Sequence, residues 1–336
     1  MFAVRGIAVA LSVFAMVYCG LSLAVCLSWR SVWRHGQRHL VRRRADLLFA
    51  WRMFPLVTAA VITAAFTVPS FLLLEPRAID EPLGGIPLAL AICGAGLGIF
   101  GGMNAGIALR RVSRMVARWT SAAQPVDSCA AVPVLRVFPV GRGGAFPRAT
   151  SSAITVPAMT VAGIVRPKVL LSGAAESVLS ASELRTALNH EVAHVRRCDN
   201  LKKLLLRCVA FPGMAGLEAA WLEATEMAAD DAAVSNAGEA LDLAAALIKL
   251  SRLEPVRLGW ADGRADLTTA LLHSPVAVVN ARIERLIAWS DERFASPKRF
   301  SPWYGLGAGL AMVAVFGITY GRLLVHVHTA TEWLIK

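Results

Sequence analysis

Four long apolar stretches constrain this chain more than any other feature of its sequence. A helix needs roughly 20 residues to cross a hydrocarbon core. Gly6 to Leu27, Met53 to Leu74, Leu83 to Leu109 and Trp303 to Val325 all come near that length. Backbone inside lipid must satisfy its own hydrogen bonds, so such stretches fold as helices. Composition agrees: 56% of the residues are hydrophobic and 17% charged, against about 45–50% and 25% in soluble domains. The first stretch has no small-x-small cleavage site, and Val25 before Cys26 spoils a lipoprotein motif. An uncleaved span is therefore expected rather than a leader.

The positive charges order these stretches. Arg30, Arg34, Arg38, Arg42, Arg43, Arg44 and Arg52 lie between the first two, and Arg110, Arg111, Arg114 and Arg118 follow the third. Short segments rich in Lys and Arg stay in the cytoplasm. The turn from Glu75 to Pro82 carries three acids and one Arg, and is expected outside. Three crossings within 1–109 then leave 110–302 in the cytoplasm, and 303–336 holds a fourth span and a short tail. The expected location is the inner (plasma) membrane, multi-pass, with both termini extracytoplasmic. A net charge of +12 admits nucleic acid as a partner, but clusters placed beside apolar runs suit anionic lipid head groups. Direct nucleic-acid contact is not expected. The six cysteines form no C-x-x-C pair, so neither a disulfide framework nor a zinc ribbon is expected. A reducing compartment fits the polar region.

Within 110–302, strands are expected over Val134 to Val140, Ala153 to Val161 and Lys168 to Leu171. Ser180-Ala181-Ser182-Glu183 reads as a capping box and opens a helix containing His190-Glu191-Val192-Ala193-His194. Residues four apart share a helix face, so both imidazoles can hold one ion. Neutral imidazole suits Zn2+, and Glu191 sits where it can take a proton from a metal-bound water. Leu204 to Gly213 is too short to span and reads equally as a core helix or a membrane-surface helix. Further helices are expected over Gly216 to Ala233, over Leu241 to Leu253 and from Arg282 to Trp289, with a loop from Leu258 to Asp266.

A catalytic zinc takes three protein ligands and one open position. Glu226 is the expected third ligand, because Asp230, one turn later, can accept the free ring N–H of a ligand histidine. Glu223 has Met227 at that spacing and lacks such a partner. The 153–171 segment is the expected edge strand for holding an extended peptide by strand addition. Tyr18, Tyr304 and Tyr320 all lie in or beside apolar runs, leaving His273 and Arg282 as candidates for stabilising an oxyanion.

Two stretches carry a resemblance. Val161-Ala162-Gly163-Ile164-Val165-Arg166-Pro167-Lys168-Val169-Leu170-Leu171 precedes Leu184-x-x-x-Leu188-x-His190-Glu191-x-Ala193-His194-x-Arg196-Arg197-x-Asp199-Asn200-Leu201. Together they resemble the BlaR/MecR-type antirepressor membrane metallopeptidases. The resemblance implies zinc ligands at His190, His194 and Glu226, a catalytic Glu191, and a Glu-x-x-x-Asp-Asp run ending at Asp230 and Asp231. It also implies three spans before the site and one after. The best-known members carry an extracellular penicillin-binding sensor beyond the last span; this chain ends at Lys336, and no such sensor is expected. The implied partner is a cytoplasmic protein substrate such as a transcriptional repressor, and the implied activity includes self-cleavage. A homo-oligomer is compatible with the sequence.

The expected fold class is an α-helical integral membrane protein of four spans with a cytoplasmic α+β zincin-like (gluzincin) metallopeptidase domain. Two other uses of such a chain are membrane-protein quality control and a non-enzymatic membrane scaffold. Substrate range separates the first from regulation, and the intact set of His190, Glu191, His194 and Glu226 argues against the second.

Overall fold

The computed structural model describes residues 2–36, 41–76, 84–121, 123–126, 132–137, 158–209, 211–253, 269–270, 276–289 and 319–333. The chain is mostly helical. Helix α1 (Phe2–Gly36) is followed by α2 (Val41–Ile62), a π turn (Thr63–Thr67) and α3 (Val68–Leu74), which form one continuous rod, and then by α4 (Gly85–Thr120). Among the described residues, Phe2–Ser31, Arg43–Leu74 and Gly85–Thr120 are long and apolar enough to cross a membrane. All three helices run past their apolar stretches, because arginine is a good helix former and nothing in Arg30, Arg34 or Arg114 breaks the ladder.

Close approach between α1 and α4 depends on a small residue. A Cβ at Gly94 would lie 2.6 Å from the Leu11 carbonyl, the kind of backbone contact that packs helices in lipid. The π turn has a covalent cause nearby. Pro69 carries no N–H, so the Ala65 carbonyl four residues earlier lacks a helical donor. The Tyr320 hydroxyl takes that carbonyl at 2.6 Å, which docks the 319–333 helix against α3. Ser70 Oγ donates to the Leu324 carbonyl at 3.2 Å in the same contact. Most of the fourth apolar stretch, 303–318, lies outside the described residues.

A compact α+β region follows. Strands β1 (Gln124–Val126), β2 (Val134–Val137), β3 (Met159–Ala162), β4 (Lys168–Ser172) and β5 (Thr269–Ala270) form one sheet in the order β1-β2-β4-β3-β5. β2 and β4 are parallel, and the other pairs are antiparallel. The β3–β4 hairpin turns at Gly163, whose φ of 97° puts it in the left-handed region and whose Cβ would meet the Arg166 carbonyl at 2.8 Å. Helices α5 (Gly173–Val178), α6 (Ala181–Arg196), α7 (Asp199–Cys208), α8 (Ala215–Ala233), α9 (Ala237–Leu253) and α10 (Val276–Ile287) complete the region.

One core packs the sheet (Val161, Val169, Leu171) against α6 and α9 through Ala187, Leu243, Leu247 and Leu250. Trp119 at the end of α4 covers Val137, Ala162 and Leu170. A second core joins α8 to α1 and α2 through Val25, Ala45, Leu48, Leu217 and Trp221. The apolar helices and the α+β region are thus one packed body.

Several expectations change. β1 was not anticipated, α9 begins at Ala237 rather than Leu241, and α10 begins at Val276 rather than Arg282. The 138–140 and 153–157 parts of two expected strands, the 258–266 loop and His273 lie outside the described residues. β3 is not an open edge, because Thr160 and Val161 pair with Ala270 and Thr269. α7 packs one face inward and leaves the other open: a Cβ on Gly101 of α4 would lie 2.2 Å from the Cys208 carbonyl, and Leu206 is buried, whereas Leu201 and Leu205 are exposed. Val209 is buried against Tyr18 and Ala59. Arg52 is not part of a solvated basic loop. It is 1% exposed, donates to the Val209 carbonyl and pairs with Glu218 at 3.1 Å. Satisfying that carbonyl and carboxylate inside an apolar bundle is what makes its burial tolerable.

Candidate metal centre

Helix α6 carries the centre, and its start is firmly held. The Glu183 backbone N–H donates to Ser180 Oγ at 3.3 Å, and the Ser180 N–H donates to Glu183 Oε2 at 2.8 Å. Lys249 of α9 reaches the same carboxylate at 2.7 Å. Burial acts to raise the Glu183 pKa, but Lys249 and Ser180 outweigh it and hold the group below the ordinary range. From this cap, the helical period turns His190, Glu191 and His194 inward, and all three are buried.

The two imidazoles meet edge to face, with His190 Nε2 and His194 Nε2 3.1 Å apart. Glu226 of α8 completes the group: its Oε2 lies 3.6 Å from His190 Nε2 and its Oε1 3.6 Å from His194 Nε2. Glu223 is half-exposed and stays outside this group.

Each histidine has its own carboxylate behind it. His190 Nδ1 lies 2.9 Å from Asp230 Oδ1, and His194 Nδ1 2.7 Å from Asp199 Oδ2. A carboxylate at Nδ1 draws the ring proton there and leaves the Nε2 lone pair free. With both histidines neutral, three acceptor atoms converge on one point, an arrangement that is repulsive without a cation or an added proton. A buried His190, His194 and Glu226 group of this kind can hold a metal ion. The same convergence acts on protons. Burial tends to lower the His190 pKa, yet Asp230 and Glu226 raise it to about 9.

Glu191 points into the same interior. Among the described residues, neither of its carboxylate oxygens has a hydrogen-bond partner. Burial pushes its pKa up against the pull of both histidines, which suits a group that exchanges a proton.

Arg282 of α10, fully buried, braces the acids. Its Nε and Nη2 grip Asp230 at 2.8 and 2.7 Å, and its Nη1 lies 3.0 Å from Glu226 Oε2. Burial favours the neutral acids, but the surrounding charges prevail. His194 and Arg282 hold Glu226 at about 2, and Arg282 holds Asp230 well below the carboxylate range. All three side-chain nitrogens of Arg282 thus face the acids that back the His190, His194 and Glu226 group. Asp231 pairs with Arg285 instead.

The sequence reading left Asp199 without a role of its own. Asp199 comes into place because Cys198 adopts the left-handed region, at φ 55° and ψ 37°, between α6 and α7. That kink swings the start of α7 back toward His194. The signal was present as an acid five residues after the second histidine. Asn200, next in line, donates to the Val161 and Gly163 carbonyls at 3.3 and 3.1 Å, tying α7 to the β3–β4 hairpin.

Comparison with known proteins returns no matching family model and no significant match among curated proteins.

Proposed function

We propose that this chain is a zinc-dependent integral-membrane endopeptidase of zincin type, with four spans and its site on the cytoplasmic side. The observation that carries the reading is the convergence of two Nε2 atoms and a carboxylate beside an unpartnered, buried Glu191. Zinc bonds of about 2.0–2.1 Å to nitrogen and oxygen put tetrahedral ligands roughly 3.3 Å apart. The donor separations of 3.1, 3.6 and 3.6 Å match that figure. The 319–333 helix, docked on α3 through Tyr320 and Ser70, supports a fourth span.

When bound, zinc supplies a Lewis acid that acidifies a water toward pKa ~7 and polarises a carbonyl. The remaining work falls to the chain. Glu191, beside the group and with neither carboxylate oxygen partnered among the described residues, accepts the water's proton and returns it to the leaving amine. Asp230 and Asp199 fix the orientation and tautomer of the histidines, and Arg282 fixes Glu226. An extended peptide can pair beside α6 along β3 only by taking the place of β5, which covers Thr160 and Val161.

The natural substrate in this proposal is a cytoplasmic protein. A transcriptional repressor is the candidate implied by the resemblance of the 161–171 and 184–201 stretches, and cleavage of the chain itself is part of the same proposal.

The test uses purified full-length chain in detergent with casein as an unstructured substrate. Wild type is expected to cleave it, and to stop when a chelator is added or when Glu226 is replaced by Gln. Cleavage that survives both treatments overturns the reading.

A further inference from the structure

A second group of metal-type donors lies at the far end of the α2–α3 rod from His190. Glu75 caps α3, while His328 and Glu332 stand one turn apart on the 319–333 helix. One donor atom from each lies within 4.8 Å of the others. The imidazole sits between the two carboxylates: Nδ1 is 3.9 Å from Glu75 Oε2, and Nε2 is 3.5 Å from Glu332 Oε1. The longer separation exceeds hydrogen-bond range and the shorter sits at its limit. An ion takes only one of the two ring nitrogens, so the separations that bear on a shared ion are those of one donor atom per residue, all within 4.8 Å of one another.

Three further facts favour an ion over a chance cluster. The Glu75 side chain is only 6% exposed, and Arg5 engages its Oε1 at 3.1 Å while Oε2 turns toward His328. Against the two carboxylates, Arg5 supplies one positive charge, which leaves a net negative charge of one among these groups to attract a cation. The donors are also held in register, because Tyr320 on the Ala65 carbonyl and Ser70 on the Leu324 carbonyl fix the 319–333 helix against α3. One imidazole with two carboxylates is a borderline donor set, suited to zinc or manganese.

We propose that Glu75, His328 and Glu332 form a second divalent-metal site that staples the 319–333 helix to the end of α3. The site is separate from the His190 centre and independent of any hydrolytic activity.

The test counts zinc by mass spectrometry in full-length chain purified in detergent, with His190→Ala and His194→Ala removing the other centre. After chelator treatment and reloading, this chain is expected to retain about one zinc and to gain thermal stability on reloading. Adding His328→Ala or Glu332→Gln is expected to abolish both effects. Glu332 is 46% exposed, so its Gln variant keeps the fold if the His328 variant does not. The proposal is overturned if the inner-site variant retains no zinc, or if its zinc is indifferent to both outer substitutions. The count is made without the inner ligands and without any cleavage assay, so it stands whether or not the peptidase reading does.

Discussion

Replacing Asp199 by Asn tests how the ligand histidines are held. Asp199 presents Oδ2 to His194 Nδ1 at 2.7 Å, while Oδ1 faces Arg197 Nε at 3.7 Å and Lys202 Nζ at 3.9 Å. Both sides of the carboxylate therefore meet donors. Asparagine has the same shape but one acceptor side, so its amide must face either the ring N–H or two cations. The negative charge that strengthens the His194 donor is lost as well. Loss of such an outer partner costs about 10–100-fold in metal affinity, or about 1.4–2.7 kcal/mol at 25 °C. The assay is competition for zinc against a chromogenic chelator, run with folded protein in detergent. Asp46→Asn is the control: Asp46 touches Arg197 and Lys202 at 3.3 Å each but is exposed and, among the described residues, makes no ion pair with the ring. Asp199→Asn should weaken zinc by the stated factor and Asp46→Asn by less than about threefold. Equal zinc affinity in Asp199→Asn and wild type, or an equal loss in Asp46→Asn, refutes the argument.

Other outcomes follow from the same contacts. Arg282→Met strands a buried Asp230 and should cost about 3–5 kcal/mol, seen as a lower unfolding midpoint; Arg282→Lys should not rescue it, since a point charge cannot grip Asp230 through two nitrogens. Cys198→Val should destabilise by about 1–2 kcal/mol, because a β-branched residue resists the left-handed region, whereas Cys198→Gly should stay near wild type. Glu183, whose folded pKa is depressed, contributes stability that is complete above its unfolded value of about 4.3 and is lost as pH falls through the folded value. In Lys249→Met, thermal scans below about pH 4.3 should therefore show a shallower loss than wild type. Gly101→Val should push α7 off α4, because even a Cβ meets the Cys208 carbonyl at 2.2 Å; faster proteolytic nicking between α7 and α8 would report it.

What could be read from the sequence was local. His190, Glu191 and His194 follow from helical spacing, as does the pairing of Glu226 with Asp230 one turn later. The capping box at Ser180 needed only four residues. Features set by long-range packing were not legible. Arg282 braces Asp230 across 52 positions, and β5 joins β3 across more than 100. Arg52 sits in a basic stretch, and its burial depends on where Glu218 and Val209 fall in space. Asp199 was hidden by a backbone choice: only the left-handed Cys198 brings it to His194. Hydropathy located the first three apolar stretches well but not their helix ends, since a helix need not stop where lipid stops.

The most direct measurement of the central claim compares wild type with Glu191→Gln for zinc content and cleavage in the same preparation. Glu191 is outside the ligand group but beside it, so both proteins should hold about one zinc in the His190 centre once the outer donors are removed by Glu332→Gln. Only the protein with Glu191 should cleave, with a loss of about 10²–10⁴-fold in the Gln variant. Equal cleavage by the two proteins, or no zinc in either, would contradict the account.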